Sequence, residues 1–125
     1  TPPEVSARVI DAVRSGAGAV IPVLPVTDTL KTVDASGLVT GTPRRADMVA
    51  VQTPQGFRWD VLTRAHEAGA SRSTDEAVAA TDDAGLVEAV GGSVQTVAGD
   101  ERSLKVTRPL DLALAQLLAA EEPSA

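Results

Sequence analysis

The 125-residue sequence contains no cysteine. This excludes disulfides, thiolate nucleophiles and cysteine-based zinc sites, and it suits a cytoplasmic protein. Aromatic side chains make up 2% of the chain, namely Phe57 and Trp59, too few to build a platform on which single-stranded nucleic acid could stack. Basic charge is in deficit: 11 Lys and Arg against 17 Asp and Glu leave a formal net charge of −6. A general binder of phosphate backbones needs a basic face, so no nucleic-acid polymer is expected as a partner. Long apolar runs are missing as well. The longest lies around residues 19–24 and is broken by Pro22 and Pro25, far short of the roughly 18 residues that span a bilayer. Neither a membrane partner nor a secretory signal is expected in the residues given. With His66 as the single histidine, no paired-histidine metal site can form.

What the sequence does have is aliphatic. A hydrophobic content of 43%, nearly all Val, Leu, Ala and Ile, is enough for one compact core, hence one domain or part of one. Thr1-Pro2-Pro3-Glu4 has the spacing of a capping box with proline in the first turn, and a chain that starts at a helix cap reads as trimmed. The helix it opens covers residues 2–14, with Val5, Val9, Ala12 and Val13 on one side. Residues 19–26, AVIPVLPV, read as a buried strand whose prolines cannot donate to a ladder, so one side of it is expected to be irregular. Residues 28–45 read as two extended arms around an Asp34-Ala35-Ser36-Gly37 turn; Leu30, Val33, Leu38 and Val39 are too little apolar surface to hold an isolated hairpin in water. A strand over 48–52, a Thr53-Pro54-Gln55-Gly56 turn and a helix over 57–68 with Trp59, Leu62 and Ala65 on one face come next. Residues 71–92 offer two look-alike helix starts, at Thr74 (with a Ser73/Glu76 capping box) and at Thr81. The segments SVQTVAG and SLKVT suggest two more short strands, the second running through Leu104 to Thr107 into a last helix opened by Pro109. Strands and helices alternate apart from the hairpin, which indicates an α/β sheet with helical crossovers, partly parallel.

In open α/β sheets, ligands collect beyond the carboxyl ends of strands, where loops and helix N-termini present unpaired N–H groups. Four polar clusters fall at such ends: Asp28-Thr29, Thr53, Thr81, and Lys105-Thr107-Arg108. Hydroxyls and an ammonium group there could bind a phosphate. Plainer roles compete. Lys105 can be a solvated lysine, Thr107 an N-cap, Arg44-Arg45 an exposed turn, His66 a helix-surface residue, and Asp82-Asp83 a first helical turn that favours carboxylates. No P-loop, Gly-x-Gly-x-x-Gly or Gly-x-Ser-x-Gly pattern occurs.

Four segments in order, PVTDTLK (25–31), VQTPQGF (51–57), TDDAGLVEAVGG (81–92) and LKVTRPLDLALA (104–115), closely resemble the C-terminal half of the 2-C-methyl-D-erythritol 4-phosphate cytidylyltransferase family. The resemblance implies a Rossmann-like nucleotidyltransferase: residues 1–125 as the C-terminal portion of one domain, a mixed, mostly parallel sheet with helices on both faces, and residues 28–45 as a protruding dimerisation arm. It implies transfer of a cytidylyl group from CTP to methylerythritol phosphate with release of pyrophosphate, in isoprenoid precursor synthesis, assisted by Mg²⁺ or a similar divalent cation. Carried over by motif, Arg45 and Lys105 position the acceptor phosphate, with Arg45 crossing to the partner's site in a homodimer, and Thr29, Thr53 and Thr81 line the pocket. The spacing to Lys105 selects Thr81 over Thr74, leaving residues 71–80 as an insertion. The family's glycine-rich loop, its triphosphate-binding basic residues and its acidic metal ligand are absent from these residues, so a half-enzyme is expected, either truncated or divided from a longer chain. A related cytidylyltransferase acting on ribitol phosphate, and a non-catalytic dimerisation module, are the competing readings.

Overall fold

A computed structural model describes residues 1–70 and 82–121. Helix α1 (Pro3–Arg14) leads into strand β1 (Ala19–Pro25); a hairpin of β2 (Thr32–Val33) and β3 (Val39–Gly41) follows, then β4 (Val49–Val51), β5 (Gly56–Phe57) and α2 (Trp59–Ala70). After residue 81 come α3 (Asp83–Ala89), β6 (Gln95–Ala98) and α4 (Pro109–Glu121), with short 3₁₀ turns at Arg45–Asp47 and Glu101–Ser103.

Everything is organised on β1. It pairs in parallel with β6 on one side, through Val20↔Gln95 to Val23↔Ala98. On the other side it meets two strands in turn, both antiparallel: β5 at Ala19 and Val20, and β4 from Val23 to Pro25. The antiparallel ladder is therefore interrupted across Pro22, the irregularity expected of a strand carrying proline. The sheet is mixed, with its parallel share among the described residues confined to the β1 and β6 pairing.

Alternation along β1 sends successive side chains to opposite faces. Ala19 joins Ala65 of α2 and Val87 of α3 in a buried cluster, with Phe57, Val61, Leu86 and Val94 packed around it. On the opposite face, Val20 is fully buried, and so is Val5 of α1. Each buried valine contributes roughly 1.5–3 kcal/mol. Gly56, the partner of Val20, leaves just enough room for α1: a Cβ there would collide with Val9. Helices thus cover both faces of the sheet.

Three local expectations are corrected. No side chain caps α1, because its N-cap position falls on Pro2, one residue after Thr1. On α2 the buried stripe runs through Val61 and Ala65, while Trp59 is 77% exposed; the helix starts at Trp59, two residues or about 200° around from Val61. Leu104 to Thr107 form no strand. Asp100 accepts a hydrogen bond from Arg102 N at 2.8 Å and closes the 3₁₀ turn, which bends the chain off the sheet before Leu104, and Val106 is half exposed. Alternation over four residues could not outweigh that turn. The paired starts at Thr74 and Thr81, the Ser73/Glu76 box and the expected insertion at 71–80 lie outside the described residues.

The arm forms a separate two-stranded sheet. Its turn is held from within: Asp34 Oδ1 accepts from Ser36 N (2.9 Å), Ser36 Oγ (2.6 Å) and Leu38 N (3.0 Å), and Gly37 takes the positive φ of 88° that the reversal requires. Val33, Leu38 and Val39 are 59–68% exposed.

Candidate active site

A cleft of about 830 Å³ lies at the carboxyl end of β1, where Leu24, Ala50 and Val51 line it, a volume in the range of small-molecule sites. Its walls come from the segment after β4 (Gln52, Thr53, Gln55), the start of α3 (Asp82) and the loop into α4 (Lys105, Thr107, Arg108, Asp111).

Two glutamine side chains key the walls together. Gln52 pairs with the backbone of Asp100 at both ends of its amide, Nε2 donating to the carbonyl at 2.9 Å and Oε1 accepting from the N–H at 3.0 Å. A neutral side chain thereby stands in for a strand neighbour and joins the exits of β4 and β6. Gln55 Nε2 donates to Asp82 Oδ2 at 2.9 Å, and Gln55 Oε1 accepts from Ala84 N at 3.4 Å. Asp82 in turn caps α3 by accepting from Gly85 N at 2.7 Å, the N-cap role that satisfies a helix's first donors.

The loop into α4 has its own clamp. Asp111 Oδ2 accepts from Thr107 N (3.2 Å), Thr107 Oγ1 (3.0 Å) and Arg108 N (3.0 Å). Those bonds, the Thr107 N–H foremost, hold its carboxyl below the usual carboxylate range. Thr107 therefore serves as donor to the helix's third residue and not as an acceptor cap. Lys105 is exposed on this loop and makes no hydrogen bond or ion pair with another described residue. A cation in a cleft with no partner among the described residues suits an anionic ligand.

Lys105 and Thr53 line the one cleft together. Thr81 lies outside the described residues, although its neighbour Asp82 is on the same wall. Thr29 and Arg45 are exposed and do not line the cleft. Arg45 sits in the 3₁₀ turn at the arm's base, its Nη1 donating to Thr27 O at 2.8 Å. Gln52, Gln55 and Asp111 escaped the sequence reading. Of the three, Asp111 carried a signal, since the third position of a helix opened by proline is where a carboxylate reaches back to the preceding N–H groups. His66 is paired at the surface with Asp83, Nε2 to Oδ1 at 3.0 Å. Among the described residues no three acidic or histidine side chains converge to hold a metal ion. Of the three carboxylates that line the cleft, Asp82 and Asp111 are occupied by N–H donors, and no cluster of three forms around Glu101, so the described residues do not fit a divalent cation.

The sequence matches the family model described as 2-C-methyl-D-erythritol 4-phosphate cytidylyltransferase over residues 1–121. Relatives of that description are 53% identical over 121 residues in Rhodococcus jostii (97% of this chain, 50% of the relative) and 54% identical over 118 residues in Nocardia farcinica (94% and 48%). The crystal structure of the Thermus thermophilus enzyme of the same description superposes with a TM-score of 0.76 at 41% identity, covering 94% of this chain and 55% of that one. A structure from Anaerococcus prevotii, described as a 4-diphosphocytidyl-2C-methyl-D-erythritol synthase, gives a TM-score of 0.78 at 28% identity, covering 94% of this chain and 52% of that one. The chain thus spans about half the length of the curated relatives it matches. With its mixed sheet, its helices on both faces and a family match across nearly its whole length, this chain belongs to the 2-C-methyl-D-erythritol 4-phosphate cytidylyltransferase family.

Proposed function

We propose that residues 1–125 are the acceptor-binding portion of a cytoplasmic cytidylyltransferase that joins CTP and 2-C-methyl-D-erythritol 4-phosphate, giving 4-diphosphocytidyl-2-C-methyl-D-erythritol and pyrophosphate. The observation that carries this is the unpaired Lys105 ammonium sharing one cleft with Thr53, on a chain more than half identical to relatives bearing that description. In the reaction an oxygen of the acceptor phosphate attacks the α-phosphorus of CTP, and the bond to pyrophosphate breaks. Both partners are anions, so the chemistry depends on holding them in line while their repulsion is neutralised. Lys105 supplies one positive charge to the acceptor phosphate; Thr53 and Thr81 donate hydroxyl hydrogen bonds beside it. The nucleotide and the divalent cation fall to the part of the relatives' length that this chain does not span.

Arg45 and Thr29 act at the same phosphate from a second copy of the chain. What supports this is the exposed apolar surface of the arm, Leu30, Val33, Leu38 and Val39, which has nothing of its own to pack against and fits a homodimer contact. The test is pyrophosphate release by the protein at the relatives' full length, with CTP and either methylerythritol phosphate or ribitol phosphate. Turnover with methylerythritol phosphate is expected. Preference for ribitol phosphate would replace the acceptor, and no product with either would leave only a dimerisation module.

A further inference from the structure

Two polar side chains are buried among the described residues, Ser103 and Asp111, each 6% exposed. They flank the Lys105 loop, two residues before the lysine and six after it. Burying a carboxylate is costly unless its hydrogen bonds are met, so the position of Asp111 needs a reason beyond packing. Ser103 closes the 3₁₀ turn through its N–H to Asp100 O at 2.9 Å, rooting the loop on its upstream side. Downstream, three donors from Thr107 and Arg108 converge on the single oxygen Asp111 Oδ2, and Arg108 Nε lies 3.6 Å from it. Between these roots Leu104 to Val106 make no backbone ladder. The direction in which Lys105 projects is therefore set by the two ends.

From this geometry we infer that Asp111 is a positioning residue for the transfer reaction: it clamps Thr107 and Arg108 so that Lys105 stands in the cleft at a fixed angle to the acceptor phosphate. The inference rests on the proposed role of Lys105. Asp111 reaches the substrate only through that lysine and touches no reacting atom. Two N–H groups and a hydroxyl share that one oxygen, and its negative charge strengthens all three bonds. An asparagine can still turn its carbonyl oxygen to these donors, as neutral and weaker bonds, whereas an alanine removes the acceptor altogether.

The test is a double-mutant cycle on Lys105→Ala and Asp111→Ala, measured in the protein at the relatives' full length with thermal unfolding in parallel. Asp111→Ala alone is expected to lower kcat/KM for the acceptor phosphate by about 10²-fold, as for a misplacement of about 1 Å, with the KM for CTP unchanged. In the Lys105→Ala background the same change should cost less than about 3-fold, because the group being positioned is gone. Losses that multiply in the double mutant, or a shift in the KM for CTP, would make Asp111 a general stability residue and overturn the inference. Near-normal turnover of Lys105→Ala would instead overturn the reading beneath it. Where Asp111→Ala does not fold, Asp111→Asn, which keeps a neutral acceptor, carries the same cycle with a smaller expected loss and the same two outcomes.

Discussion

The loop bearing Lys105 and the arm bearing Arg45 are both exposed and both carry a cation assigned to the same phosphate, yet they are built differently. The Lys105 loop is tied to the body by Gln52, Asp100 and Asp111, so its lysine is placed by the fold of one chain. The arm is tied to itself: Asp34 closes its turn, Lys31 Nζ donates to Thr42 Oγ1 at 2.7 Å, and the Thr32 and Thr40 hydroxyls meet at 2.8 Å. Its apolar side chains face outward. A group that must act at a site yet is held by a self-contained ribbon needs a second surface to lean on. One region is finished by folding; the other, on the proposed reading, is finished by association.

The sharpest way to break this comparison is to remove each cation from the protein at the relatives' full length. Lys105→Ala should lower kcat/KM by on the order of 10²–10³-fold, the scale of losing one preorganised donor to a reacting anion, with an unchanged melting temperature. Arg45→Ala should approach that loss. Mixing the two inactive variants then separates the regions: in a two-fold dimer with Arg45 serving its neighbour, a mixed pair keeps one intact site, and an equal mixture should recover about a quarter of normal activity. No recovery would place Arg45 in its own subunit's site.

Stability divides along the same line. Gly56→Ala forces a methyl group into Val9 and should destabilise the body by about 1–3 kcal/mol, the cost of overpacking, read by thermal or urea unfolding. Leu38→Asp on the arm should leave the unfolding of the body unchanged and instead weaken association in sedimentation or light scattering. The smallest effect concerns acid. Asp100 is held down at about 2 by its hydrogen bonds from Arg102, and Asp111 and Asp34 also lie below their usual value of 3.8. A carboxyl with a depressed folded-state pKa adds stability that is complete above its unfolded value and is lost as pH falls through the folded one. Stability should be flat from neutrality to about pH 4 and decline toward about pH 2; Asp100→Asn should make that decline shallower.

Much of this was legible in the residues. The helical stripe Val5, Val9, Ala12 and Val13, the apolar run of β1 and the Asp34 turn are local signals, and each formed where its period or turn chemistry placed it. The one-sided irregularity of β1 followed from Pro22 lacking an N–H. The last strand failed because its alternation is short and the Asp100 turn just before it is fixed by a side chain three residues upstream of Ser103, a contact that no periodicity reports. Trp59 was misplaced because the apolar stripe was read through Trp59 and Leu62, whereas the packed side runs through Val61, about 200° around the helix from Trp59. Of the site, Lys105 and Thr53 were legible through motif resemblance. Gln52 and Gln55 were not, since amides that bind backbone 29 to 48 residues away leave no pattern of their own, and the local signal of Asp111 at the third helical position went unread.

The amide of Gln52, meeting the Asp100 backbone at both its donor and its acceptor, gives the cleft a hinge pin that carries no charge. Such a joint is indifferent to ionic strength and to proton concentration, and it sets up no field to compete with the ammonium nearby. That join should hold wherever the chain stays folded, and the response to salt and acid is left to the charged ties of Asp100 and Asp111 and to the ligand.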